Sequence, residues 1–250
     1  INTLHILGGT PTISNNVITG NTSIKGGSPS FTNNTINGRT DVTFSNVYTM
    51  GSPVFSGNNF FAPLRCSSLE FDLSAANINT ITIENNSFEI RNGGAAISLP
   101  CGPCAKILNN KINGCDSTEI GIEAKAGNGQ ILAVTDNEVH HCITGLVLEH
   151  SNVRLTENSI FNNSIGVSIH QYSGNQVVDG TAIGIYRNTI SNNSVGIQYF
   201  ACASDVNITN NNVYANTPYN FVLACNQNIT VANNYWGNTD EDAINQSIYD

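Results

Sequence analysis

One pattern of apolar and polar positions, apolar-x-x-Asn-x-apolar, recurs from one end of the chain to the other. In each copy the asparagine follows an Ile, Phe, Val or Leu by three residues and precedes an Ile, Phe, Val or Trp by two. Successive asparagines are 18 to 30 residues apart, as in a solenoid whose coils carry loops of variable length. The ten asparagines are Asn16, Asn34, Asn58, Asn86, Asn110, Asn137, Asn158, Asn188, Asn211 and Asn234.

Short segments rich in β-branched residues lie between the motifs, for example residues 145–148, 166–169, 196–199 and 220–223. They read as second strands, and no paired runs of 3.6-residue apolar period indicate a helical repeat. The pattern therefore predicts an all-β fold, a single-stranded parallel β-helix of about ten coils. Stacked at about 4.8 Å per coil, these would form a rod of roughly 45 to 50 Å.

The repeated asparagine has an architectural explanation. It lies at a sharp bend between two inward-facing apolar residues, and asparagine tolerates the left-handed backbone conformation that such a bend requires. Stacked side-chain amides can also hydrogen-bond along the axis of the rod. We therefore expect the ten asparagines to form a structural ladder that neither binds ligand nor catalyses.

The chain is expected to form one domain, 1–250, since no linker interrupts the repeat. Residues 1–60 form short coils that share a Gly-x-Pro element at 9–11, 27–29 and 51–53, and residues 61–238 form longer coils. Residues 239–250 begin with acidic residues and carry Ile244 and Ile248, a pattern typical of a short capping helix.

Composition narrows the function classes. The net charge of -9 and the pI near 4.8 argue against a nucleic-acid partner, because only nine Lys and Arg are available. No apolar run is long enough to cross a membrane. The chain starts at Ile1 without a methionine, from which we expect a mature, secreted protein located outside the cell or on its surface.

The seven cysteines take positions defined by the repeat. Cys115 and Cys142 each follow their motif asparagine by five residues, and Cys202 and Cys225 each precede the next one by nine. Members of each pair should stack in adjacent coils, as disulfides or as buried thiols. Cys101 and Cys104 form a CxxC that favours a local disulfide over a metal site, and Cys66 is left over.

The final segment Asn233 to Asp250, with its NNYWG and acidic Ile-containing helix, resembles the end of right-handed parallel β-helix repeat proteins of bacterial and archaeal cell surfaces. These belong to the pectin-lyase-like superfamily. The resemblance covers essentially the whole chain and implies a right-handed helix. It does not give a function, because this fold serves many functions.

Enzymes of the superfamily imply specific sites. The chain has neither a Gly-His-Gly nor an Asp-Pro-His-Asp run. A divergent site could use Asp136, Glu157 and Arg187, which immediately precede successive motif asparagines and should form one row. Two carboxylates one coil apart would lie about 5 Å from each other, near the separation in retaining glycosidases. No cofactor is expected, apart from Ca²⁺ if the site acts on polysaccharide.

The adjacent histidines His140 and His141 are not expected to bind a metal, because neighbouring residues on a strand point to opposite faces. Aromatic side chains that could stack on sugar rings are concentrated in the later coils. The candidates for carbohydrate binding are Tyr172, Tyr186, Tyr214 and Tyr219.

Two functions remain open. The first is a non-catalytic extracellular structural or adhesive β-helix, a cell-surface or filament subunit with weak carbohydrate binding and the capacity to self-associate. The alternative is a polysaccharide lyase, epimerase or glycoside hydrolase. A groove of convergent acidic and basic groups would favour the enzyme.

Overall fold

A computed structural model describes residues 1–44, 51–68, 80–91, 93–102, 104–126, 131–149, 152–170, 182–200, 205–225 and 229–250. Within them the elements are β1 (Leu4–Ile6), β2 (Thr12–Ser14), β3 (Val17–Ile18), β4 (Thr22–Ile24), β5 (Ser30–Thr32), β6 (Thr35–Ile36), β7 (Thr40–Phe44), β8 (Val54–Ser56), β9 (Asn59–Phe60), β10 (Leu64–Ser68), β11 (Thr80–Glu84), β12 (Ser87–Glu89), β13 (Ala95–Gly102), β14 (Cys104–Leu108), β15 (Lys111–Ala126), β16 (Ile131–Thr135), β17 (Glu138–Glu149), β18 (Asn152–Thr156), β19 (Ser159–Phe161), β20 (Ile165–His170), β21 (Ala182–Tyr186), β22 (Thr189–Ser191), β23 (Val195–Tyr199), β24 (Asp205–Thr209), β25 (Asn212–Tyr214), β26 (Tyr219–Leu223), α1 (Glu241–Gln246) and β27 (Ile248–Tyr249).

These strands wind into a right-handed parallel β-helix, which confirms the predicted fold class. One sheet has nine strands, from β2 to β24, and the other has eighteen. Strands pair in parallel with the equivalent strand of the next coil, as β16 pairs with β18 and β18 with β21. Because each coil contributes one strand to the nine-stranded sheet, the described part contains nine coils, close to the ten predicted.

One coil illustrates how the sequence directs the chain. Strand β18 ends before Glu157, and the chain bends there and at Asn158 into β19. A second bend over 162–164 leads into β20. Alternation turns Val153, Leu155 and Ile160 inward, where all three are fully buried.

The core is a set of stacked apolar columns. Phe31 lies on Phe55 with ring centroids 4.9 Å apart, and Phe60 lies on Phe88 at 4.6 Å. Their strands pair in register, so like side chains meet in successive coils. Because each coil can bury its apolar face only against its neighbours, the stack is the unit of stability.

The ten repeated asparagines form one ladder along the first bend. Asn137 shows the pattern: its backbone N–H and its Nδ2 both donate to Asn158 Oδ1 at 2.9 Å. Its own Oδ1 accepts from the backbone N–H and Nδ2 of Asn110 at 2.9 and 3.0 Å. Nδ2 also donates to the carbonyls of Ile107 and Thr135. The buried amide is thus satisfied on every side.

The left-handed conformation was expected at the ladder asparagine, and that expectation is wrong by one residue. Positive φ occurs at the residue before it, for example Asn109 at 50°, Asp136 at 56° and Glu157 at 61°. The ladder asparagine must direct both its N–H and its side chain along the axis. The residue that turns the chain by its left-handed conformation is therefore the one before the ladder asparagine.

A second asparagine ladder, which the sequence pattern did not suggest, follows the second bend. Asn163 donates through its N–H and Nδ2 to Asn193 Oδ1, and Asn193 donates in the same way to Asn216. Asn216 continues the ladder to Asn220. At the other end, the Cys142 N–H donates to Asn163 Oδ1 at 2.9 Å.

Cys115 and Cys142, which were expected to stack as a disulfide or as buried thiols, form no disulfide with each other. Their strands shift register between Asn113 and Thr118, so that Thr118 rather than Cys115 pairs with Cys142. The bulge carries Cys115 out of the column, with a left-handed φ of 48°.

The other cysteines have separate outcomes. Cys225 is a thiol, and its predicted partner Cys202 lies outside the described residues. The side chains of Cys101 and Cys104 also lie outside the described part. Cys66 is buried in the core as a thiol, and burial, with a smaller contribution from Asp41, raises its pKa.

The predicted capping helix is present as α1. Asp240 is its N-cap and accepts from the Ala243 N–H at 2.9 Å. Strand β27 then pairs with β26, and Trp236 packs edge-on against Phe221 at 6.2 Å. No helix in the described part is long and apolar enough to span a membrane.

Candidate functional site

A polar groove of about 770 Å³ runs along the first bend. Its walls come from five consecutive coils, a span of about 19 Å at the usual strand spacing. The lining side chains belong to the ladder asparagines and to the residues on either side of them. They are Asn59, Asn85, Asn86, Ser87, Asn109, Asn110, Lys111, Asp136, Asn137, Glu138, Glu157 and Ser159.

Unbroken register makes this groove continuous. Asn59 pairs with Ser87, Ser87 with Lys111, Lys111 with Glu138, and Glu138 with Ser159. One wall is therefore a straight column of the residues that follow each ladder asparagine. The other wall is the column of left-handed residues that precede it.

The predicted row of Asp136, Glu157 and Arg187 belongs to this left-handed column. All three are exposed, and Asp136 and Glu157 line the groove, whereas Arg187 does not. Arg187 Nε and its terminal nitrogen each approach Glu157 Oε1 at 2.8 Å. With the two side chains 62% and 44% exposed, solvent screens this pair and limits its contribution to stability.

A second charged group lies on the opposite wall. Lys111 Nζ is 3.1 Å from Glu138 Oε1, and the same oxygen is 3.3 Å from His140 Nε2. Burial lowers the pKa of His140, and His141 and Lys111 lower it further against the opposing effect of Glu138. His140 is therefore neutral at pH 7.

The groove has few features of a catalytic centre. A general acid needs a carboxyl held in a desolvated or like-charged setting. Asp136 is exposed, and Glu157 is paired with a guanidinium. Within the described residues, no group of three or more His, Cys, Asp or Glu side chains is arranged to hold a metal ion.

Of the tyrosines proposed to bind sugar, the three in the described part of the chain do not line the groove. Tyr186 ends β21, and its ring lies over Gly184, where it would contact any added side chain. Tyr214 packs near Tyr235 at 6.3 Å, and Tyr219 near Tyr249 at 5.4 Å. Tyr172 lies outside the described residues. Sugar binding by these tyrosines stays a prediction.

The amide side chains of the groove did not stand out in the sequence. Asn85 and Asn109 occupy the left-handed column, and Asn109 Nδ2 donates to Asn85 Oδ1 at 2.7 Å. Asn59 lies in the opposite column. The motif register could have identified them, because the residues on both sides of each ladder asparagine point outward and stack.

Comparison with family models gives one match. The model described as "Right handed beta helix region" matches residues 69–179 and, in a second overlapping alignment, 125–247. Searches of curated proteins and of solved structures each gave no match. The two alignments together span residues 69–247, well over half of the chain, and agree with the coils described above. The chain belongs to the right-handed β-helix family.

Proposed function

We propose that the chain is a non-catalytic extracellular β-helix, a structural or adhesive subunit that binds a polysaccharide along the groove of the first bend. The observation that carries this proposal is the groove itself, which continues in register over five coils. A linear polymer fits such a site better than a small metabolite, because polar side chains recur at equivalent positions in each coil along it.

The lining favours a particular class of glycan. Amides and hydroxyls of Asn59, Asn85, Asn109, Ser87 and Ser159 offer both donors and acceptors to sugar hydroxyls. Three carboxylates, from Asp136, Glu138 and Glu157, and one ammonium, from Lys111, line the groove, and Arg187 outside the lining pairs with Glu157. This excess of negative charge, on a chain of net charge -9, would repel uronate or sulfate groups. We therefore propose a neutral or amine-bearing polysaccharide.

Binding is tested by removing groove amides without straining the backbone. Asn85→Gly and Asn109→Gly delete the side chains, and glycine accepts the left-handed conformation at both positions. Asn210→Gly is the matched control, because Asn210 has the same conformation at φ 59° but does not line the groove. Isothermal titration with neutral, amine-bearing and uronate oligosaccharides should show weaker binding for the two groove variants only. Equal binding by all variants, or tightest binding of the uronate, would contradict the proposal.

A polysaccharide-active enzyme is the second candidate, since Asp136 and Glu157 do lie in one groove. Incubating the chain with the same panel and measuring new reducing ends and unsaturated products separates the two functions. We expect no turnover. Cleavage that disappears in both Asp136→Asn and Glu157→Gln would establish the enzyme instead.

Self-association is a separate part of the proposal. Ile1, Leu7 and Val17 in the first coil are 47%, 61% and 55% exposed. Such apolar side chains favour contact with another surface. Electron microscopy and sedimentation at rising concentration should show lateral or end-to-end assembly, and a strictly monomeric rod would contradict this part.

A further inference from the structure

Two imidazoles meet beside the second bend in a way that strand alternation does not allow. His140 and His141 were expected to face opposite sides of β17. His141 instead has a left-handed φ of 56°, which breaks the alternation. Their ring centroids are 4.8 Å apart, and the two Nδ1 atoms are separated by 2.6 Å. The reason for dismissing a metal at these residues therefore does not hold.

The surroundings of His140 fix which nitrogen is available. Its Nε2 lies 3.3 Å from Glu138 Oε1, and a carboxylate can only accept, so the ring proton resides on Nε2. The Nδ1 lone pair then points toward His141. Phe161 stacks on the ring at 5.0 Å and an angle of 20°, and His140 is only 8% exposed. One ligand is thus held in a single tautomer and orientation.

We propose that His140 and His141 form a two-nitrogen chelating site for a divalent transition-metal ion of the Cu²⁺ or Ni²⁺ type. Imidazole suits these ions, and both accept right-angled coordination. With metal–nitrogen bonds of about 2.05 Å, a right angle places the nitrogens about 2.9 Å apart. The observed separation of 2.6 Å needs only a small opening, which rotation of the half-buried His141 side chain can provide. Water completes the coordination.

Glu138 acts here as a positioning residue. A carboxylate that accepts from the far nitrogen of a metal-bound histidine orients the ring and raises its basicity. Lys111 in turn holds Glu138 at 3.1 Å. In the described part of the chain, the groups that act on His140 are Glu138, Lys111 and the imidazole of His141, and the Cys142 thiol lies 3.5 Å from the His140 carbonyl oxygen.

The site is tested with Ni²⁺ alone, using the full chain in isothermal titration. We expect one ion per chain. His141→Asn removes a ligand while asparagine keeps the left-handed conformation, and should weaken binding by at least about tenfold. Glu138→Gln should weaken it about tenfold by releasing His140. His5→Gln, a change at an exposed histidine of the first coil, is the control and should bind as the wild type does.

A spectroscopic measurement removes dependence on how well the variants fold. Electron paramagnetic resonance of the wild type with one equivalent of Cu²⁺ should show coupling to two imidazole nitrogens, and His141→Asn should show one. Absence of Ni²⁺ binding by the wild type, or unchanged affinity in His141→Asn, would overturn the proposal. In that case the short contact is a hydrogen bond between the two rings.

Discussion

An asparagine ladder runs along each of the two bends, but the two ladders differ in length. The ladder of the first bend runs through ten asparagines from Asn16 to Asn234 without a gap. The ladder of the second bend begins only at Cys142 and Asn163, after the register shift between Asn113 and Thr118. The groove lies along the first bend. An unbroken ladder keeps the flanking residues in straight columns, and the straight columns line a continuous groove.

Close packing accompanies the second ladder. A Cβ added to Gly145 would lie 2.6 Å from the Gly166 carbonyl oxygen and 3.2 Å from Asn163 Nδ2. Gly166 stands in the same relation to Gly196 and Asn193. The second bend thus needs glycine beside each asparagine. Like the first bend, it also has a left-handed residue directly before each ladder asparagine, at Asn162, Asn192 and Ala215. The closely packed glycine, and not the left-handed residue, therefore distinguishes the second corner from the first.

The largest effect should follow from breaking the middle of the first ladder. Asn137→Ala removes the oxygen that accepts from both the N–H and the Nδ2 of Asn110. Two buried donors are left without that acceptor, and each costs roughly 1–3 kcal/mol. We expect a loss of about 3 kcal/mol in the free energy of unfolding, measured by urea denaturation. A loss below about 1 kcal/mol would show that the ladder adds little to stability.

Breaking the start of the second ladder should cost less. Within the described residues, Asn163 Oδ1 accepts one hydrogen bond from the preceding coil, from the Cys142 N–H. Asn163→Ala should therefore lower the free energy of unfolding by about 2 kcal/mol. Asn137→Ala and Asn163→Ala should be measured under the same conditions. Their comparison tests whether the loss of stability follows the number of hydrogen bonds that the removed Oδ1 accepts. A larger loss at Asn163 would reverse the comparison.

Acid should weaken the coil that carries His140. Its folded pKa is lowered mainly by burial, so as pH falls below the ordinary value of about 6.5 the unfolded chain takes up the proton first. Stability is thus retained above that pH and lost as pH falls toward the folded pKa. Urea denaturation at pH 7 and pH 5 should show a smaller fall for His140→Gln than for the wild type. An identical fall in the two proteins would exclude His140 as a cause.

The smallest effect is expected in the left-handed column of the first bend. Asp136→Asn introduces the residue found at the same place at 85, 109, 210 and 233, all with positive φ. Because asparagine tolerates this conformation, the thermal midpoint should be nearly unchanged. Asp136→Val, a β-branched residue in the same conformation, should lower stability by about 1–2 kcal/mol. Equal stability of both variants would show that the conformation at 136 imposes no constraint.

The sequence was sufficient for the fold because the determining features repeat. An inward apolar residue on each side of an asparagine defines the coil, and ten copies leave little choice of architecture. The second ladder was hidden because it is short: Cys142 occupies its first place, and it continues through Asn163, Asn193, Asn216 and Asn220.

The candidate site was predictable in position but not in detail. The motif register placed Asp136 beside Glu157, and both line the groove. The pairing of Glu157 with Arg187 depends on side-chain reach between coils. The contact of His140 with His141 depends on one left-handed residue, which strand alternation cannot reveal.

The central claim is that the groove of the first bend binds a polysaccharide without cleaving it. The most direct measurement is titration of the isotope-labelled chain with a neutral or amine-bearing oligosaccharide, followed by NMR of the asparagine side-chain amides. The amide signals of Asn59, Asn85 and Asn109 should shift together and that of Asn210 should not, with the oligosaccharide intact at the end. Unmoved groove signals across the whole panel, or cleavage of the oligosaccharide, would contradict the account.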